Sequence, residues 1–372
     1  MKYIHLILLL FCSFVINGNN EKIIAPHVPD SKKLPIVYHS KYNISFFGIE
    51  KIHPFDSTKY GKIAAFITRT LNLSNSHFYK PESEVSSANL SKVHTKRYLD
   101  SLNDSKTIEQ ITEVPLVRFV SNKFLQDRVV SHMRYATQGT IVAAQVAMER
   151  GVGINLGGGY HHAKADEGHG FCPFADIPLA MKILWEEIPN LKIMYVDLDA
   201  HQGNGVESIL KDDPNVYIFD CYNENNYPWD KDAQQYIKKH IVSKDIYCDA
   251  CLKKGACLKV HEPYNLWTKP CKACNDAYLA SLKRELPLSI QEFQPHIIFY
   301  NAGTDPFEGD LLGRMYLSEN GIIERDEFVF QQAQENKVAI CMTLSGGYSR
   351  KSGPIVGKSI VNLYQKGLLD IR

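Results

Sequence analysis

Short runs that are apolar nearly throughout punctuate the chain, at residues 152–156, 192–197, 216–219, 296–300 and 338–344. A strand with one wet face alternates polar and apolar positions. Continuous apolar runs instead suit strands covered on both faces, as in a parallel sheet. Helix-length segments lie between them, around 140–150, 177–187, 276–291 and 325–334. This alternation predicts an α/β fold with a central parallel sheet flanked by helices. Ordered sequence is expected to begin at Leu34, after a polar, proline-containing linker over 21–33, and to form one domain from 34 to 372. In such sheets the loops leaving the carboxyl ends of the strands build the active site.

Composition narrows the function classes. With 372 residues, 44% hydrophobic and 22% charged, the chain can bury a large core and is neither disordered nor fibrous. Lys and Arg total 42 against 41 Asp and Glu, so no global field draws it to nucleic acid or an anionic membrane, and direct nucleic-acid binding is not expected. At the amino end, Lys2 precedes an apolar stretch over 6–16 and then Asn17, Gly18, Asn19 and Asn20. That order reads as a secretory signal peptide over residues 1–20. The apolar stretch is shorter than the about 20 residues a bilayer span needs, so no transmembrane segment is expected in the mature chain. A working signal would send the protein to the secretory pathway or outside the cell. Asn-x-Ser sequons at Asn43, Asn72, Asn89 and Asn103 would then be glycosylation acceptors.

The chemistry sits at the strand ends. The run 152–156 leads into Gly157, Gly158, Gly159, Tyr160, His161 and His162, and the run 192–197 into Asp197, Asp199, His201 and Asn204. The run 296–300 leads into Asn301 and Asp305, and the run 338–344 into Ser345, Gly346, Gly347 and Tyr348. Asp199, His201 and Asp305 make a mixed oxygen and nitrogen set suited to a catalytic zinc that keeps an open position. Asp197 is then left to orient His161. Beside the metal, His161 and His162 read as acid and base groups that work near neutral pH. Tyr348 follows a Gly-Gly turn that can swing it inward, where its hydroxyl would serve a developing oxyanion. Any one of these motifs alone is more often a solvated turn. Four together, all at predicted strand ends, are not a chance pattern.

These motifs resemble the histone deacetylases, and specifically their class IV branch. The resemblance is carried by Gly-Gly-Tyr-His-His-Ala from Gly158, Gly170-Phe171-Cys172, Asp-Leu-Asp-Ala-His-Gln-Gly-Asn-Gly from Asp197, the run from Asn301 to Asp310, and Ser-Gly-Gly-Tyr from Ser345. It continues in Leu34 to Gly48 and in His53-Pro-Phe-Asp56. It implies a single-domain arginase/deacetylase fold with one zinc, held by Asp199, His201 and Asp305, at the base of a narrow tunnel. It makes His162 the general base, His161 its electrostatic partner held by Asp197, and Tyr348 the polariser of the carbonyl. Gly170 and Phe171 would line the tunnel and Phe47 its rim. A structural potassium ion would take oxygens from 197–201 and from Asp220 and Cys221. Asn204 stands where class I members carry an aspartate, which matches the class II and IV pattern.

The implied reaction is zinc-dependent hydrolysis of an N-ε-acyl-lysine amide, acetyl or long-chain, on a histone or non-histone protein or peptide. Two alternatives stand beside it: deacetylation of acetylpolyamines, which an acidic gate at the tunnel rim would favour, and a binding module on a non-catalytic scaffold. Arginase chemistry is disfavoured, because a two-metal site needs more Asp ligands than these loops supply. Family resemblance points to nucleus or cytoplasm, against the leader.

An insertion at about 242–275 departs from the class IV pattern and holds Cys248, Cys251, Cys257, Cys271 and Cys274. Cys248-x-x-Cys251 and Cys271-x-x-Cys274 fit a second zinc site, with Cys257 and His261 as spare ligands. If the chain is secreted, disulfides are expected there instead.

Overall fold

The computed structural model describes residues 32–44, 55–248 and 271–370, all within one compact unit; the leader, Phe47 and Cys251 lie outside the described residues. Seven strands form one sheet: β1 (Ile36–Val37), β2 (Val152–Asn155), β3 (Ile193–Asp197), β4 (Val216–Cys221), β5 (Lys239–Ile241), β6 (Ile297–Asn301) and β7 (Ala339–Thr343). Their spatial order is β1-β2-β7-β6-β3-β4-β5, and every pairing is parallel. The five apolar runs all became strands. β5 escaped detection because it is a three-residue edge strand, half-exposed at Lys239 and His240.

Alternate residues of each strand feed two separate cores, which is why the runs are apolar nearly throughout. Met194, Val196, Ile298, Tyr300, Ile340 and Met342 face one side; Ile193, Tyr195, Ile297, Phe299 and Cys341 face the other. The first side is covered by α1 (Lys59–Leu71), α5 (Lys272–Phe293), α6 (Glu319–Glu335) and α7 (Ser352–Gln365). The second is covered by α2 (Ser131–Arg150), α3 (Asp176–Glu187) and α4 (Asn204–Leu210). Among the described residues, no helix is long and apolar enough to cross a membrane.

Register aligns the carboxyl ends of the strands. Asn155 pairs with Thr343, Thr343 with Asn301, Asn301 with Asp197 and Asp197 with Asp220. A buried polar row therefore crosses the sheet where its apolar core stops. Such groups need partners, and they find one another: Thr343 Oγ1 donates to Asn301 Oδ1 at 2.9 Å, and Asn301 Nδ2 donates to Asp197 Oδ1 at 3.0 Å.

Arg325 on α6, fully buried, ties two strand-end loops together from beneath. Its Nη1 donates to the carbonyls of Leu198 at 3.0 Å and Gly303 at 2.7 Å, while Asp326 pairs with it at 2.8 Å. Removing one member of a buried pair strands the other charge. Arg325→Met is therefore expected to destabilise the protein by about 3–5 kcal/mol in urea unfolding. A loss under about 1 kcal/mol would mean that Asp326 and the two carbonyls find other partners.

Candidate active site

The β3 loop and the β6 loop meet at three atoms. Asp199 Oδ1 lies 3.0 Å from His201 Nδ1, and Asp305 Oδ2 lies 2.9 Å from the same nitrogen. All three side chains are buried, and one donor atom from each falls within 4.8 Å of the others. The remaining carboxylate oxygens are held by main chain: Gly346 N donates to Asp199 Oδ2 at 2.9 Å, and Ala200 N to Asp305 Oδ1 at 2.9 Å. Gly346 passes so close that a Cβ there would lie 2.4 Å from Asp305 Oδ2 and 2.7 Å from Asp199 Oδ2. Only glycine leaves that space open.

Electrostatics describe a site built for a cation. Burial and then the charge of Asp199 push Asp305 up to about 7, opposed by His201. Burial opposes charge on His201, yet its hydrogen bonds to Asp199 and Asp305 outweigh that and raise it to about 10. Two buried carboxylates sharing one imidazole fit a divalent ion with two oxygen and one nitrogen ligands, leaving a position open, as catalytic zinc requires.

The two histidines have opposite partners. His161 Nδ1 contacts Asp197 Oδ2 at 2.8 Å, and that oxygen also accepts the Tyr195 hydroxyl. Burial works against charge on His161, but Asp197 and Asp199 overcome it and raise the ring to about 9. His162 Nδ1 meets the amide oxygen of Asn204 at 2.8 Å. Burial, then His161 and His201, hold His162 well below the usual imidazole range. The two rings, 4.0 Å apart between centroids, are thus shifted in opposite directions.

Tyr348 stands half-buried across from them, its ring 6.1 Å from that of His201. Gly347 before it adopts φ +134°, a region that favours glycine, and the Tyr348 N–H donates to Asp310 Oδ2 at 2.6 Å. Burial, then Asp305 and Asp199, keep its hydroxyl well above the usual phenol range, so it stays a donor.

A cavity of about 120 Å³ opens beside these groups, its wall including Gly170, Phe171, Phe55, Tyr348, Tyr160 and Leu125. Phe171 holds φ +64°, an uncommon conformation for a bulky residue and one that clusters at ligand sites. Its ring stacks near Phe55, with centroids 6.2 Å apart.

The structure thus gathers His161, His162, Asp197, Asp199, His201, Asp305 and Tyr348 at one place, with Gly170 and Phe171 at the cavity mouth. Several contributors are given no role by the sequence, Phe55 among them although it stands in the His53-Pro-Phe-Asp56 motif. Phe55 takes a wall position, and Tyr227 lies edge-on to His162 with centroids 5.0 Å apart. Lys59, fully buried on α1, donates to the carbonyls of Ser345 at 2.8 Å and Gly346 at 3.1 Å. Asp176 caps the Gly-Gly-Tyr turn, accepting from Gly159 N at 2.9 Å and Tyr160 N at 2.8 Å.

A doubly wound parallel sheet with a buried Asp-His-Asp set and paired histidines at its carboxyl edge defines a metal-dependent hydrolase. Residues 53–362 match the family model described as the histone deacetylase domain. Histone deacetylase 2 of Arabidopsis thaliana is 41% identical over 340 residues, which cover 91% of this chain and 81% of that protein. Polyamine deacetylase HDAC10 of Danio rerio is 22% identical, over 72% of this chain and 37% of that protein. Among solved structures, the HDA15 HD domain superposes with a TM-score of 0.65 at 18% identity, covering 90% of this chain and 88% of that one. An HDAC homologue from Aquifex aeolicus gives 0.63 at 19%, covering 90% and 84%. The chain belongs to the histone deacetylase family, a family of amide hydrolases, and has its fold.

Proposed function

We propose that this protein hydrolyses N-ε-acyl-lysine amides, with Asp199, His201 and Asp305 as the ligands of a catalytic zinc. The observation that carries the reading is the convergence of three buried ligand atoms beside two histidines, one paired with a carboxylate and the other with an amide, with Tyr348 across from them. A zinc ion held there supplies Lewis acidity, polarising an amide carbonyl and making water a nucleophile near neutral pH. His162, whose Nδ1 is engaged by a neutral amide, has its other nitrogen available to take the water's proton. His161, held charged by Asp197, stabilises the negative charge that develops. Tyr348 donates its hydroxyl to the carbonyl oxygen as that oxygen gains charge. His162 then returns the proton to the departing lysine amine. Phe171 and Phe55 flank the lysine's methylene chain.

The apolar wall of the cavity supports an apolar acyl group, long-chain as well as acetyl, and Asn204 beside His162 supports the class IV assignment. A structural potassium ion is part of the same reading: Asp220 is fully buried against the carboxyl of Glu207 and close to that of Asp197, a concentration of negative charge that a cation would relieve. We read residues 1–20 as a secretory leader, which the mass of the mature amino terminus tests.

The competing reading, an acetylpolyamine amidohydrolase, is favoured by Glu113, an exposed carboxylate between Thr112 and Val114 of the cavity wall. Purified protein is therefore assayed in parallel on acetyl-lysine peptide, long-chain-acyl-lysine peptide and an acetylpolyamine. Release of lysine peptide is the expected result. Turnover of the polyamine alone moves the substrate class, and no turnover of any of them by zinc-loaded protein overturns the enzymatic reading.

A further inference from the structure

Three cysteine sulfurs meet where the described chain breaks off at Cys248, after β5, and resumes at Cys271, at the start of α5. Cys248, Cys271 and Cys274 place their Sγ atoms within 4.8 Å of one another, and Cys248 Sγ lies 3.9 Å from Cys271 Sγ. A disulfide needs about 2.05 Å between its sulfurs, roughly half that separation. Four thiolates around zinc at about 2.3 Å each sit about 3.8 Å apart, the edge length of that tetrahedron. The observed spacing has the second geometry.

Local structure prepares the thiols. Cys271 is the N-cap residue of α5 and Cys274 lies in its first turn, with Cys274 N and Asn275 N both donating to the Cys271 carbonyl at 3.0 Å. The helix start favours negative charge on sulfur. Cys248 arrives from the other side, its N–H directed at Cys274 Sγ over 3.5 Å. Cys274 is 2% exposed and packs into the core that α5 shares with the sheet.

We propose that Cys248, Cys271 and Cys274 bind a second, structural zinc ion. Cys251, the remaining member of the two Cys-x-x-Cys pairs, lies outside the described residues, and the proposal stands on the three. The ion joins the end of β5 to the start of α5, and through them braces the active-site loop from behind. Tyr247 donates to the Arg314 carbonyl at 2.9 Å, and Asn275 Oδ1 accepts from Ser318 N and Ser318 Oγ, each at 3.1 Å. That segment continues from Asp305 and Asp310, which hold the catalytic metal set and the Tyr348 backbone.

The test needs no activity measurement, so it stands or falls separately from the catalytic reading. Full-length protein, desalted after zinc loading, is expected to hold two zinc equivalents, and Asp199→Ala protein one. Cobalt-loaded Asp199→Ala protein should show thiolate-to-cobalt charge transfer, lost when Cys271→Ser and Cys274→Ser are added. If those added substitutions prevent folding, the Asp199→Ala protein decides alone. No retained metal and no charge-transfer band overturns the proposal, and so do thiols of these three residues that alkylate only after reduction.

Discussion

Asp199→Ala protein is expected to lose its catalytic zinc and with it all measurable hydrolysis, while keeping its fold. Asp199 holds more of the site than the other ligands do. Its Oδ1 contacts His201 Nδ1, its Oδ2 accepts from Gly346 N, and it lies 3.7 Å from His161 Nε2. Removing the carboxylate leaves one oxygen and one nitrogen donor, too few for a tetrahedral site with an open position. It also relieves Asp305, whose pKa is raised by the Asp199 charge after burial itself. Asp305 and His201 remain as a pair, so the fold is expected to survive, at a cost in stability because Gly346 N and His161 lose the Asp199 carboxylate. Metal analysis of the desalted variant checks this, with circular dichroism as the control for fold. An unchanged zinc content in a doubly substituted Asp199→Ala and Asp305→Ala protein would sink the ligand assignment.

The second large effect is expected at Tyr348→Phe, which should lower kcat for acyl-lysine hydrolysis by about 10²-fold or more, because one oxyanion donor is typically worth that much. Zinc content should not change, since the phenol is not among the three converging ligands. The ring itself is kept by phenylalanine, so its contacts with Phe55 and Phe171, 6.0 and 5.9 Å between centroids, persist and substrate binding should suffer little. A loss concentrated in kcat is the signature of an interaction made mainly in the transition state. Near-normal turnover would show that the hydroxyl does not serve the carbonyl.

Much of this molecule is legible in its sequence because parallel sheets write themselves plainly. Runs such as 193–196 and 297–300 are apolar at every position only because both faces are covered, and the two cores fed by Ile193 and Met194 show that they are. The polar residue that ends each run, Asp197, Asn301 or Thr343, marks where the core stops. Chain direction is shared by every strand, so those ends must lie on one edge. That is why Asp199, His201, Asp305, the histidine pair and Tyr348 could be assembled from spacing and residue type without coordinates.

What the sequence by itself did not determine are relations between residues distant along the chain that no local pattern encodes. The register that sets Asn301 beside Asp197 is one, since it is settled by how side chains pack across the sheet. The opposite shifts of adjacent histidines are another: a carboxylate 36 residues from His161 raises that ring, while burial and the charges of His161 and His201 lower His162. Lys59 and Arg325 read as ordinary surface charges in a helix, yet burial drives each to satisfy carbonyls of the catalytic loops. The cysteines could be counted, but whether their sulfurs stand at bonding or at ligand distance is a matter of three-dimensional placement, decided by where β5 ends and α5 begins. Sequence determines which groups are available and in what order; packing determines which of them share a dielectric, a partner and a charge.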